Sequence, residues 1–394
     1  MTQALSETTL QTIEATVPAL REAGGVVVAT MYKHLLSDPQ VRVLFNMSNQ
    51  TGDSPQHQAL AGAILAYAEN IRQPEVLLGA IERIAQKHVS FQILPEHYEA
   101  VAAALLTAIK DVLGEAATPA ILEAWGEAYW LLANILIGRE EQLYKGAATA
   151  AGGWRGWRTF EVAEKRQEAV DITSFLLRPI DGKPVMAHQA GQYLTLLVPA
   201  DPGAPVRRNY SISCAPNNTH YRITVKRAPQ GVASGWLHDT AQVGSVIEAA
   251  APAGHFYLEA QDKAEIVLVS GGVGLTPMVS MLEAQAGKGV PITYVHATRD
   301  GAHHAMGEHH RSLSDRSIVF FDAPRNEDEP GRDFDHQGQI NADWLAAQTR
   351  MDVADYYVCG PLPFMRAIVT GLKAKGVAAS RIHYEFFGPE SESF

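Results

Sequence analysis

In the run PEVLLGAIERIAQKHVSF the apolar residues Leu77, Ile81 and Ile84 step by four and three, and the next place on that helical stripe is His88. Helical periodicity therefore turns an imidazole toward an apolar interior. Such a histidine is either satisfied by a backbone carbonyl or offers a neutral ring nitrogen to a metal. A second stripe, Trp125, Tyr129, Leu132 and Leu136, ends on Glu140. With Tyr98 it could form a second layer around the histidine, because a carboxylate that accepts the other imidazole N–H makes a ligating histidine more electron-rich. A solvated charge near a helix end is the simpler alternative for Glu140.

The later sequence carries backbone chemistry. IVLVSGGVGLTPMVSML joins an apolar strand to a helix, with Thr276 expected as N-cap and Pro277 in the first turn. Gly272 and Gly274 would let the backbone approach a dinucleotide, and the helix N-terminus would favour its phosphates. The pattern is G-x-G-x-x-P, not G-x-G-x-x-G. Arg208-Asn209-Tyr210-Ser211, expected at the start of a strand, offers a cation for phosphate, a ring for stacking and a hydroxyl for the polar edge of a flavin. Tyr193 precedes it, and Gly231 to Ser234 follow, where backbone N–H groups could meet a pyrophosphate. The histidines 303, 304, 309 and 310 fit no single helical face and have no cysteine or acidic residue placed with them, so a solvated loop or helix start is expected rather than a metal site.

These residues need several domains to hold them, since 394 residues exceed one ordinary core. From about residue 5 to 145 the apolar spacing is helical, with helix starts at Asp38-Pro39, Ser54-Pro55 and Thr118-Pro119, a core stripe of Leu60, Ile64, Tyr67 and Ile71, and a long helix from Pro119 to about Tyr144. Pro18 should kink or break its helix. The small-residue stretch Gly146–Gly153 reads as a connector. DITSFLLRPI, GQYLTLLVP and YRITVKR then alternate between turn signals, as an antiparallel barrel requires, whereas EIVLVS, PITYVHAT, SIVFFDA and DYYVCG are the continuous apolar strands of a parallel α/β sheet. The expected division is a helical domain over 1–147, a linker over 148–156, a barrel over 157–260 and an α/β domain over 261–394.

Composition removes several function classes. With 43 acidic against 32 basic residues and a formal charge of -11, the chain is not built to grip nucleic acid or an anionic membrane. Two cysteines, Cys214 and Cys359, give neither a disulfide framework nor a thiolate cluster. MTQALSETTL is no secretory leader, and the apolar runs are interrupted before bilayer length, so a soluble cytoplasmic protein is expected.

An all-helical unit of about 145 residues with one inward histidine late in a mid-chain helix is a layout that encloses haem. YKHLL, LFNMSNQ, AYAENI, IAQKHVSFQI, PEHY, AWGEAYWLLAN and GREEQLY resemble the globin domain of bacterial flavohaemoglobins, and the resemblance continues to the C-terminus. It implies His88 as the proximal ligand of haem b, Tyr98 and Glu140 as its hydrogen-bonded relay, and a distal pocket of Tyr32, Phe45, Gln56 and Leu60. It further implies a ferredoxin-reductase-like FAD barrel holding the flavin with Tyr193, Arg208, Asn209, Tyr210, Ser211, Gly231 and Ser234. The nicotinamide lobe would use Gly272, Val273, Gly274, Leu275, Thr276 and Pro277, with Cys359-Gly360 near the reacting ring; a small residue closing a strand is the plain alternative for Cys359. In the C-terminal IHYEFFGP, the resemblance places Phe386, Phe387, Gly388 and Pro389 at the flavin, with Phe387 covering its face until nicotinamide displaces it. Glu385 and Lys87, on either side of the flavin–haem gap, could tune redox potential, and either could equally be a surface charge.

The implied activity is nitric oxide dioxygenase, with NADH or NADPH reducing FAD, FAD reducing haem, and nitric oxide and dioxygen combining to nitrate. Rivals are a reductive peroxidase or alkyl hydroperoxide reductase on the same cofactors, and an oxygen carrier or sensor. A carrier needs no continuous electron supply. Arg299 suits a 2′-phosphate and solvent equally, leaving the choice of nicotinamide open. The expected protein is a monomer acting on small molecules, with no nucleic acid or obligatory membrane.

Overall fold

The computed structural model describes residues 4–45, 55–200, 205–259 and 263–388, in two compact units that meet at Thr149 and Ala150. Ser54, the Pro202-Gly203 turn and Pro389 lie outside the described residues.

The first unit is helical: α1 (Glu7–Leu35), α2 (Pro39–Arg42), α3 (Pro55–Glu69), α4 (Leu78–Ser90), α5 (Pro95–Leu113) and α6 (Pro119–Thr149). Its starts follow from capping. Ser6 Oγ accepts the Thr9 N–H at 3.1 Å, and Thr118 Oγ1 accepts that of Ile121 at 3.3 Å. Of the kink or break expected at Pro18, the break does not occur: α1 runs through it, and Ile13 and Thr16 before it and Val27, Val28, Met31 and Tyr32 after it are all buried, packing that outweighs the lost hydrogen bond. Also contrary to expectation, α6 continues through Gly146 to Thr149, held by buried Tyr144, whose hydroxyl donates to the Ile93 carbonyl at 2.7 Å. The irregular connector is therefore shorter than Gly146–Gly153. By length and composition α6 could cross a membrane, which the reading of interrupted apolar runs did not foresee. Trp125, Ala128, Leu136 and Glu140 along it are buried within this unit.

The second unit contains two sheets. Strands β1 (Arg158–Ala169), β2 (Ile172–Pro179), β3 (Tyr193–Val198), β4 (Val206–Ser211), β5 (Tyr221–Lys226) and β6 (Val246–Ala249), with α7 (Val232–Asp239), form an antiparallel sheet in the order β4-β3-β6-β1-β2-β5. An Ile212–Ile223 bridge and the Ser213 N–H to Arg222 carbonyl bond at 2.7 Å bring its edges together, so the sheet closes around Phe160, Phe175, Leu194, Leu196 and Ile223. Arg208–Ser211 ends β4 rather than starting a strand, because pairing with β3 already begins at Val206.

The other sheet is parallel and runs β10-β9-β8-β7-β11-β12. Its elements in chain order are β7 (Ile266–Gly271), α8 (Leu275–Gln285), β8 (Ile292–Thr298), α9 (Gly307–Leu313), β9 (Arg316–Phe321), β10 (His336–Gln337), α10 (Ala342–Gln348), β11 (Asp355–Cys359), α11 (Leu362–Ala374) and β12 (Ile382–Glu385). The strand order reverses between β7 and β11. Ligands of such sheets bind outside the carboxyl ends of the strands at that switch point, where the turns after Gly271 and Cys359 meet.

Candidate functional site

In the helical unit His88, Tyr98 and Glu140, expected to come together, form a hydrogen-bonded triad. His88 Nδ1 lies 2.8 Å from Glu140 Oε1 and 3.0 Å from the Tyr98 hydroxyl, which itself donates to Glu140 Oε1 at 2.5 Å. Glu140 is 2 % exposed, which removes the solvated-charge alternative. An ionised carboxylate only accepts, so Nδ1 of His88 carries the proton and Nε2 carries a lone pair. Nε2 makes no hydrogen bond among the described residues, and a third of the side chain is exposed within the unit. That donor set fits iron: a neutral imidazole, an oriented tautomer and a buried anion behind it. Burial and Glu140 both push the Tyr98 phenol pKa far up, fixing it as a donor.

Tyr32 is held on three sides. Phe45 meets its ring edge-on at 5.6 Å, His57 stacks on its face at 4.4 Å, and Gln56 Nε2 donates to its oxygen at 3.3 Å. The phenolic proton is thereby left for another acceptor, and burial raises its pKa. Leu60 and Ile64 pack half-buried against the same core. His57 escaped the sequence reading because it neighbours Gln56 on α3 and only the fold stacks it on Tyr32. Leu77, Tyr129 and Leu132 pack against both this cluster and the one around Tyr98. Lys87 is exposed on α4 beside His88.

In the barrel, register joins residues that the sequence separates. Tyr193 pairs with Ser211, and Thr195 with Asn209, whose side-chain oxygen accepts the threonine hydroxyl at 2.8 Å. Alternation puts Arg208 and Tyr210 on one face of β4 and Ser211 on the other. Burial lowers the Arg208 pKa and raises that of Tyr210 to about 12. Gly254 lies so close to the Tyr193 ring that an added Cβ would stand 2.9 Å from it. At Gly231, the N-cap of α7, a Cβ would meet Ser234 Oγ, so the turn leading into that helix is tight, and the first N–H groups of α7 have no side-chain cap from Gly231. These features fit a flavin dinucleotide: a cation, an aromatic face, a hydroxyl and a helix N-terminus for the pyrophosphate.

The glycine turn after β7 is equally constrained. Gly272 has φ +52°, and a Cβ on Gly274 would stand 2.2 Å from the Cys359 carbonyl oxygen. Gly360 packs against Gly271 and Phe364 in the same way. The two turns therefore touch backbone to backbone. Gly274, not Thr276, is the N-cap; Thr276 is the second helical residue, and its hydroxyl donates to the Val273 carbonyl at 3.1 Å. Leu275 is buried against the barrel side, and Pro277, third in the helix, needs no N–H there.

Register places Glu385, Cys359, Ser270 and His296 in one row across β12, β11, β7 and β8. Cys359 is fully buried, and burial first and Glu385 second hold its thiol well above the ordinary range. Ser270 Oγ sits 2.8 Å from both the Tyr294 hydroxyl and His296 Nδ1. Beyond them the histidines expected to be solvated are half-buried at 303, 304 and 309 and buried at 310. His310 is fully buried, its Nε2 is 2.9 Å from His304 Nε2, and His296 stacks on His304 at 5.6 Å. Acidic partners exist too, Asp300 for His303 and Glu283 for His309, each at 2.7 Å. Among the described residues no group of three or more histidine, cysteine, aspartate or glutamate side chains is placed so as to hold a metal ion. Nothing in the spacing of 303, 304, 309 and 310 announced this, since the cluster is completed by His296 from β8. Phe386 is half-buried beside Tyr384, whereas Phe387 and Gly388 are exposed.

Three family models match separate parts of the chain. A globin family model matches residues 28–136, an oxidoreductase FAD-binding domain model 159–257, and an oxidoreductase NAD-binding domain model 268–370. A flavohemoprotein of Xylella fastidiosa strain 9a5c is 50% identical over 399 residues, covering 100% of this chain and 99% of that protein; one of Burkholderia sp. strain TH2 is 45% identical over 391, covering 96% and 97%. Among solved structures, a flavohemoglobin from Malassezia yamatoensis with bound FAD and heme superimposes with a TM-score of 0.86 at 27% identity over 98% of this chain and 100% of that one. The flavohem-like FAD/NAD binding domain of a nitric oxide dioxygenase from Vibrio cholerae gives 0.53 at 36% identity, covering 59% of this chain and 99% of its own.

Proposed function

Because this chain belongs to the flavohemoprotein family, we propose that it is a nitric oxide dioxygenase that draws its electrons from NADH or NADPH. Its globin, FAD-binding and NAD-binding regions make it an oxidoreductase of haem, FAD and a nicotinamide dinucleotide. When bound, haem supplies the place where dioxygen is held, and FAD divides the electron pair of a hydride into single electrons. Nitric oxide, dioxygen and one electron give nitrate, so one hydride supports two turnovers.

The observation that carries the proposal is the Glu140–His88–Tyr98 triad. A buried anion behind His88 keeps Nδ1 protonated and raises the basicity of Nε2, which favours activating an oxygen ligand over carrying it. In this reading Tyr32, with Gln56 on its oxygen, would present its hydroxyl proton to a ligand of the haem, while Phe45 and Leu60 would limit the access of water. Tyr193 and Arg208–Ser211 orient the flavin, the start of α7 takes its pyrophosphate, and Phe387 screens its face. Gly272–Pro277 with Cys359-Gly360 seat the nicotinamide, and Lys87 and Glu385 tune the potentials.

The test is direct. Purified holoprotein with NADH and oxygen should accelerate nitric oxide loss at an electrode and form nitrate in step with NADH consumed. Unchanged nitric oxide loss, or loss without nitrate, overturns the proposal; faster turnover with hydrogen peroxide or an alkyl hydroperoxide would favour the peroxidase rival.

A further inference from the structure

Nearly every side of α8 is buried, so two different surfaces cover it. Met278, Met281 and Leu282 pack with Ile266, Leu268 and Tyr294 of its own sheet. Leu275 and Val279 pack with Ile172 of the barrel. Farther along the helix come two polar residues, Ser280 and Glu283, that also reach the barrel.

They grip a single peptide unit. Ser280 Oγ donates to the Cys214 carbonyl at 2.7 Å, and Glu283 Oε2 accepts the Ala215 N–H at 2.7 Å. That carbonyl and that N–H are the two ends of the bond joining Cys214 to Ala215. His188 Nε2 gives the same carbonyl a second donor at 3.0 Å. The other oxygen of Glu283 takes Arg222 of β5 at 2.5 Å and His309 of α9 at 2.7 Å. One carboxylate thus ties a barrel strand, a barrel loop and both helices α8 and α9. Burial opposes its charge, but His309, Arg222 and the Ala215 N–H hold its pKa at about 2, so it stays ionised.

The position of this grip gives it meaning. Ala215 lies four residues beyond Ser211, the end of the flavin motif. Thr276, Ser280 and Glu283 step by four and three along one stripe of α8, whose first turn, in the proposed reading, would face the dinucleotide. We propose that Ser280 and Glu283 are positioning residues for hydride transfer, which set the place of the nicotinamide turn relative to the flavin strand by holding the Cys214–Ala215 peptide. The hydride leaves NAD(P)H with its electron pair, yielding NAD(P)+ and reduced flavin, and only its approach geometry depends on the grip. This rests on the reading that NAD(P)H reduces the flavin and is independent of what the haem does.

Full-length holoprotein carrying Ser280→Ala, Glu283→Gln, both together, or Glu283→Ala tests it by anaerobic stopped-flow reduction of the flavin. A displacement on the order of 1 Å costs about 100-fold in a positioned reaction, so Glu283→Ala should slow flavin reduction at saturating NADH by about 10- to 100-fold while NADH affinity moves less than about 2-fold. Glu283→Gln keeps an acceptor for Ala215 and Ser280→Ala keeps His188 on the carbonyl, so each alone should lose less and the pair should approach Glu283→Ala. Hydrogen exchange at the Ala215 amide should quicken in Glu283→Ala and stay slow in Glu283→Gln. Wild-type reduction rates in the flavin-loaded conservative variants, or equal losses of rate and affinity, would overturn the proposal. If the wild-type protein itself is not reduced by NADH or NADPH, it is the underlying reading that fails.

Discussion

Glu140 Oε1 lies 2.8 Å from His88 Nδ1, so a carboxylate on α6 decides which nitrogen of an imidazole on α4 keeps its proton. Replacing Glu140 by glutamine removes the anion while keeping the shape. Haem affinity or turnover should fall by about 10- to 100-fold, as for other partners of metal-ligating histidines, and the iron–histidine stretch should drop in Raman spectra. His88→Ala should lose haem and retain flavin, read from the Soret band against the flavin shoulders.

Tyr32→Phe keeps the ring between Phe45 and His57 but deletes the donor that Gln56 leaves free. The loss of one preorganised donor costs on the order of 100-fold. Dioxygen release from the reduced protein should speed up by about that factor, with flavin reduction by NADH unchanged.

Gly274→Ala would drive a methyl group into the Cys359 carbonyl, 2.2 Å from the built Cβ. Backbone yields less readily than a side chain, so the second unit should lose about 1–3 kcal/mol, seen as a lower thermal midpoint. NADH-dependent flavin reduction should weaken as the two turns separate, while haem content stays the same.

Burial holds His304 at a pKa of about 4, against an ordinary 6.5, and pushes His296 and His310 down as well. The unfolded chain therefore binds protons below pH 6.5 that the folded unit refuses. Stability is complete above that pH and falls as the pH drops from 6.5 through about 4, by up to ~1.4 kcal/mol per pH unit for each histidine. Thermal melts of the holoprotein across that range should show the slope, and His304→Gln should flatten it.

Much of the site was legible because its signals are local. The stripe that ends on His88 belongs to one helix, the strands β7, β8, β9 and β11 are continuous apolar runs, and Gly272 and Gly274 sit in one turn. The misplacements have local explanations that tertiary packing overrode. Thr276 followed by proline looks like a cap, yet the turn tightens two residues earlier because Gly274 must clear Cys359. Pro18 looks like a breaker, yet buried residues on both sides carry α1 through it.

By itself the sequence determined which groups could bind and react: one inward imidazole, a flavin-type strand motif, a glycine turn, and a charge balance unsuited to polyanions. Periodicity and spacing act over a few residues, so they could specify elements and faces but not partners. Only the tertiary structure decided that Glu140 is buried against His88, that His57 stacks on Tyr32, that His296 completes a cluster with His304 and His310, and that Ser280 and Glu283 hold one peptide of the barrel. Each of these contacts joins residues on different elements. Strand register and helix packing bring them together; the cost of leaving a buried polar group unpaired fixes the Glu140–His88 pair and the grip of Ser280 and Glu283, and ring stacking fixes the other two.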